Sequence, residues 1–217
     1  MPGQEKKLIA FTLYPGVTPL DLVGPLTVLR DLKIGSPYRT VVVGERTEPM
    51  DTDTPLQMIP AKPFGEVADP FAVIVPGGGA ATIDAMKDES LLAYVRSTAE
   101  TAELVGSTGN GSLILAAAGL LEGRRAAIHW AYGEVLESVG AKYAQERWVE
   151  DGKFLTSAGG SAGIDMMLYL VARLKSESGA KLAQLATEYD PQPPFGGIDW
   201  SSADSHLAGM LRPSRGI

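Results

Sequence analysis

The sequence predicts a single α/β domain, residues 1–217, with a mostly parallel sheet covered by helices on both faces. Apolar runs of strand length alternate with segments of helical periodicity. Glycine-rich turns follow strands at Gly77–Gly79, Gly109–Gly111 and Gly159-Gly160. No repeat, low-complexity block or linker divides the chain, so these elements are expected to share one core.

Lys7–Leu13 is the first predicted strand, closed by the Pro15-Gly16 turn signal. A helix is expected over Leu22–Leu32, where Leu22, Leu26 and Leu29 repeat at helical spacing and Pro25 is placed in the first turn. Arg39–Val43 is β-branched and strand-like. The stretch from Glu45 to Pro70 is rich in Pro, Asp and Thr, which suits a hairpin and surface loop with a strand near Leu56–Ile59. Ala72–Val75 and Leu104–Gly106 are buried strands. Between them, Ala80–Met86 and Ser90–Ala102 are expected helices, and Leu113–Leu121 is a further one. Arg125–Ile128 is a candidate strand before a helix over Ala131–Val139. Asp151-Gly152 between apolar positions marks a hairpin over residues 148–156. The most hydrophobic helix follows Gly159–Gly163. Ser178–Thr187 is the last, and loop-like composition begins at Asp190.

Hydrophobic residues make up 45% of the 217 and charged residues 21%, the balance of a soluble globular protein with a sizeable core. The longest apolar runs are too short or too amphipathic to cross a bilayer, and Met1–Lys7 is polar, unlike a signal peptide. A cytoplasmic protein without membrane contact is expected. The net charge of −7 argues against a nucleic-acid partner, which needs clustered Lys and Arg. With no cysteine there is no disulfide, thiolate metal site or thiol nucleophile. His129 and His206 lack close metal-ligand spacing, so no metal is expected. No phosphate-binding GxxxxGK[ST] or GxGxxG unit is present, and no cofactor is expected.

The chemistry points to one stretch. Leu104–Gly106 runs into Ser107-Thr108-Gly109-Asn110-Gly111, which opens directly into an apolar helix. A sharp strand-to-helix elbow presents its tip residue above a sheet, where a nucleophile commonly stands. Here the tip is Gly109, which has no side chain. Asp21 is either a helix cap or a proton-transferring acid. His129-Trp130 is either a packed pair or part of the site. Ser161 lines a pocket or simply begins a helix. The glycine turns let main-chain N–H groups approach an anion or developing oxyanion.

Several pieces fall in an order that resembles the ThiJ/PfpI superfamily: Leu20-Asp21-Leu22-Val23-Gly24-Pro25, Val75-Pro76-Gly77-Gly78-Gly79 and Gly111-Ser112-Leu113 with the helix to Leu121. Gly123-Arg124-Arg125-Ala126, His129-Trp130-Ala131-Tyr132, Ala162-Gly163-Ile164-Asp165 and Glu188-Tyr189 before Pro193-Pro194-Phe195 are similar to the isonitrile hydratase branch. The resemblance implies a flavodoxin-like three-layer sandwich, a homodimer and a small, fairly apolar substrate or ligand. A related branch carries a helix-turn-helix module, which is not expected here. Members place a cysteine on the elbow, and that position falls on Gly109. By the same resemblance Asp21 handles protons and water, while Gly78, Gly79 and Asn110 supply main-chain donors for developing charge. His129, Trp130 and Ser161 are the candidate substrate contacts. Two functions follow: hydration or isomerisation by Asp21 without a thiol, or ligand binding on a scaffold that has lost catalysis.

Overall fold

The computed structural model describes residues 6–198 and residue 211. Its elements in chain order are β1 (Lys7–Thr12), α1 (Pro19–Leu29), β2 (Tyr38–Gly44), β3 (Met50–Asp51), β4 (Gln57–Met58), β5 (Lys62–Pro63) and β6 (Ala72–Val75). They continue with α2 (Ala81–Ala85), α3 (Glu89–Thr101), β7 (Leu104–Ser107), α4 (Gly111–Ala117), β8 (Arg125–Ala126), α5 (Gly133–Ser138) and β9 (Lys142–Tyr143). The last are β10 (Trp148–Asp151), β11 (Phe154–Ser157), α6 (Gly160–Leu174) and α7 (Glu177–Ala186).

The main sheet runs β10-β11-β7-β6-β1-β2-β5 among the described residues. Every neighbouring pair is parallel except β10 with β11, which form the expected Asp-Gly hairpin. Strands such as Ala72–Val75 are fully buried, as a sheet covered on both faces requires. Helices α1, α6 and α7 pack together, and α4 packs with α2, α3 and α5, giving the flavodoxin-like three-layer α/β sandwich. The chain leaves β1 toward β2 on one side and returns to β6 on the other. The crevice between β1 and β6 is therefore a topological switch point, where ligands bind in open α/β sheets. Among the described residues no helix is long and apolar enough to cross a membrane.

Some elements differ from expectation. Helix α1 begins at Pro19, three residues earlier than the apolar spacing suggested, so Pro25 lies in its interior. Helix α4 stops at Ala117, with Gly119 in a left-handed conformation soon after (φ +79°). Arg125-Ala126 forms a strand, but it pairs with Lys142-Tyr143 in a separate small sheet. The Glu45–Pro70 stretch holds the β3–β4 hairpin and the short edge strand β5. Of the loop-like C-terminal stretch, residues 199–210 and 212–217 lie outside the described residues.

Candidate active site

The elbow is built by two strands in register. Val75 pairs with Ser107, so the turns after β6 and β7 emerge side by side. The Thr108 N–H donates to Val75 O at 3.1 Å, and the Gly111 N–H donates to Thr108 O at 3.0 Å. Gly109, at the tip, has φ +54°, a conformation that L side chains adopt only with strain of about 1–3 kcal/mol. The opposite turn is fixed from three directions. Tyr14 Oη donates to Pro76 O at 3.0 Å, the Thr18 N–H to Gly77 O at 2.8 Å, and the Gly78 N–H to Thr82 Oγ1 at 2.8 Å. Gly77 is needed because a Cβ there would run into the Asn110 nitrogen.

Asp21 is held beside this crevice through the carbonyl that Pro25 leaves free. A proline in a helix interior offers no N–H to the carbonyl four residues back. That carbonyl belongs to Asp21, and Thr108 Oγ1 donates to it at 2.7 Å in a buried bond. Helix α1 is thereby fastened to the elbow at the residue that carries the acid. We expect Thr108→Val to leave the Asp21 carbonyl unpaired and lower stability by about 1–3 kcal/mol, read by urea denaturation. An unchanged midpoint would refute the fastening role.

Asp21 is not the cap of α1. The N-cap is Thr18, whose hydroxyl donates instead to Asp53, and Asp21 sits within the first turn at 5% exposure. Its carboxylate lies in a hollow bounded by glycines from three turns. A Cβ on Gly109 would overlap Asp21 Oδ2, one on Gly77 would stand 2.6 Å from Oδ2, and one on Gly160 2.7 Å from Oδ1. The place that a side chain on Gly109 would take is thus filled by the acid. Burial raises the Asp21 pKa from 3.8 to about 7, the Gly77 amide opposes the rise, and the negative charge of Asp53 adds to it.

A cavity of about 270 Å³ opens here, lined by Thr18, Asp21, Gly78, Gly79, Gly109, Asn110, His129, Tyr132, Gly159, Gly160 and Leu211. His129 is carried in by a buried chain: Ser112 Oγ lies 2.7 Å from Ser107 Oγ and donates to Ala127 O at 2.7 Å, while the Ala127 N–H donates to Thr156 Oγ1 at 2.8 Å. Its Nδ1 accepts the Ala131 N–H at 3.4 Å, and burial lowers its pKa by disfavouring the charged ring. Asn110 is 7% exposed; its Nδ2 donates to Gly78 O at 3.4 Å, and its Oδ1 has no partner among the described residues.

Of the residues singled out in the sequence, Asp21, Gly78, Gly79, Gly109, Asn110 and His129 converge. Trp130 stands beside His129, with ring centroids 5.8 Å apart, but does not line the cavity. Ser161 is exposed in the first turn of α6 and does not line it either. The Gly78 N–H is committed to Thr82, so it is not a spare donor for developing charge. Gly160 belongs to the third of the glycine turns noted in the sequence, whereas Thr18 and Tyr132 were missed. For Tyr132 the signal was its place two residues after Trp130, where the 3₁₀ turn brings it round. A larger cleft of about 450 Å³ is floored by Leu13, Tyr14, Met50 and Leu91 and rimmed by Glu45 and Glu48. It contains neither the elbow nor its buried acid, and the chemistry lies in the smaller cavity.

The site is thus a switch-point crevice of an α/β sheet in which a glycine stands at the strand-to-helix elbow above a buried acid. The sequence pattern of the DJ-1/PfpI family matches residues 7–173, and the chain belongs to that family. Isonitrile hydratase from Pseudomonas putida is 41% identical over 207 residues, which cover 95% of this chain and 88% of that protein. A ThiJ/PfpI family protein from Pseudomonas syringae superposes with a TM-score of 0.88 at 35% identity, covering 97% of this chain and 86% of the other. DJ-1beta from Drosophila melanogaster, at 18% identity and a TM-score of 0.75 over 86% of this chain and all of the other, shares the fold. The HTH-type transcriptional regulator CdhR from Pseudomonas aeruginosa is 39% identical over 89 residues, 39% of this chain and 26% of the regulator.

Proposed function

We propose that the protein hydrates a small, fairly apolar organic molecule, an isonitrile or a close analogue, using Asp21 in place of thiol chemistry. The observation that carries this reading is the Asp21 carboxyl at the elbow tip, in the hollow left by Gly109. Near neutral pH a substantial fraction holds a proton, which it can give to a basic carbon or nitrogen bound in the crevice. The main-chain amides of Gly79 and Asn110 are the donors offered to developing charge, and His129 and Tyr132 line the same cavity. The likeness to the Pseudomonas putida hydratase over nearly the whole chain supports isonitrile as the substrate class.

The test is conversion of n-butyl isocyanide to its N-formamide by the unaltered chain, across pH. The protonated acid is the active form, so turnover is expected to be full well below pH 7 and to fall above it; the charge of Asp53 shapes that limb, and Tyr14 and His129 are the other titratable groups at hand. Formamide production only after Gly109→Cys would instead mark a scaffold that has lost its chemistry. The regulators among its relatives favour that second reading, a ligand-binding protein. In that case isocyanides or formamides raise the melting temperature without turnover.

The reading includes a cytoplasmic homodimer. Exposed Leu20 and Val23 on α1 and Leu182 and Leu185 on α7 lie on two helices that pack together, giving an apolar surface for a second copy. Light scattering at the mass of one chain would reject it.

A further inference from the structure

We propose that Asp21 is the nucleophile as well as the acid, its carboxylate forming a covalent bond to the isonitrile carbon where other elbows offer a thiol. This rests on the isonitrile reading above. A Cβ built on Gly109 meets Asp21 Oδ2 before any other atom outside its immediate chain neighbours. The oxygen thus occupies the start of the path that a tip side chain would follow. Gly77 and Gly160, lacking side chains, leave the carboxylate room against their main chain. Thr108 holds the Asp21 main chain, so the carboxylate is delivered by a fixed backbone. Its charge is met by the Gly77 amide, with no side-chain donor among the described residues to draw electron density from the attacking oxygen.

The steps balance with water as the only other reactant. The Asp21 carboxyl gives its proton to the terminal carbon of R–N≡C, whose lone pair forms the new C–H bond and leaves a nitrilium ion. The carboxylate, now an anion against that cation, donates an Oδ lone pair to the same carbon. One π pair of the C–N bond moves onto nitrogen, giving the ester R–N=CH–O–C(=O)–Asp21. Carboxylates act as nucleophiles in this way where the intermediate divides one hard step into two easier ones. Water then adds to the acyl carbon, the bond from that carbon to the imidate oxygen breaks, and the departing formimidate takes a proton on nitrogen to become the N-formamide. Asp21 is left as the carboxylic acid, carrying one oxygen from water.

That exchange of oxygen is the test. The full chain, in molar excess over n-butyl isocyanide, is allowed one turnover in water enriched in the heavy oxygen isotope. The formamide and the peptide containing Asp21 are then analysed by mass spectrometry. The expected result is unlabelled formamide and one heavy oxygen in Asp21, found only when the isocyanide is present. With hydroxylamine in the quench, the same peptide is expected as the Asp21 hydroxamate. Labelled formamide with unlabelled Asp21 and no hydroxamate overturns the nucleophile while leaving hydration by acid catalysis in place. No formamide at any chain concentration overturns the hydration reading, and this inference with it.

Discussion

Asp21→Asn is expected to abolish turnover and, at the same time, to make the protein more stable above pH 7. The sign follows from the raised pKa. Between the unfolded value of 3.8 and the folded value of about 7, the folded chain keeps a proton that the unfolded chain has released. Stability contributed by the neutral acid is therefore fully present below the lower value and is lost as pH rises through the upper one. Three pKa units correspond to about 4 kcal/mol, an upper bound on the penalty at alkaline pH. Asparagine does not titrate, so at pH 8 the variant should gain up to that amount, at most roughly 8–16 °C in melting temperature for a domain of this size. At pH 4 the two proteins should melt together. Loss of the proton donor should lower turnover by about a hundredfold or more. A variant less stable than the parent at pH 8 would mean that the acid is well accommodated as an anion, and the reading of the site would fail.

Adding a Cβ at the elbow tip is the second large effect. Gly109→Ala is expected to cost about 1–3 kcal/mol for the left-handed backbone alone. The methyl group also overlaps Asp21 Oδ2, so the carboxylate must leave the hollow or the turn must open. In an Asp21→Ala background that second cost disappears. A double-mutant cycle in urea should therefore show coupling of about 1 kcal/mol or more between positions 21 and 109. Additive costs would mean that the acid rests elsewhere in solution. Gly109→Ala should also suppress hydration by displacing the acid, without removing any reactive atom.

The sheet and the elbow were legible because their signals are local. Ala72–Val75 and Leu104–Gly106 are unbroken apolar runs that end in glycine turns, and such runs read as buried strands whatever they pair with. Arg125–Ile128 has the same local look, yet its partner is Lys142-Tyr143, and strand composition says nothing about pairing. Asp21 was recognisable as important, whereas its place inside α1 was not. A proline at position 25 demands a helix start nearby only if every carbonyl must be satisfied within the helix. Thr108, 87 positions away, satisfies the one that Pro25 leaves free. The wall of the cavity failed by small shifts. Ser161 and Trp130 were chosen for their side chains, while Gly160 and Tyr132, one and two residues away, line the space or make room for the acid.

The hollow around the acid is walled by Gly77, Gly109 and Gly160, where any side chain would collide with the carboxylate. Evolution can therefore adjust the acidity of Asp21 only from a distance, and Asp53 is the lever within reach: it is surface-exposed, tethered by the Thr18 hydroxyl, and already pushes the proton affinity upward. Sequence drift in the loop that carries it, far from any reacting atom, would retune the working pH of the site while leaving its shape intact.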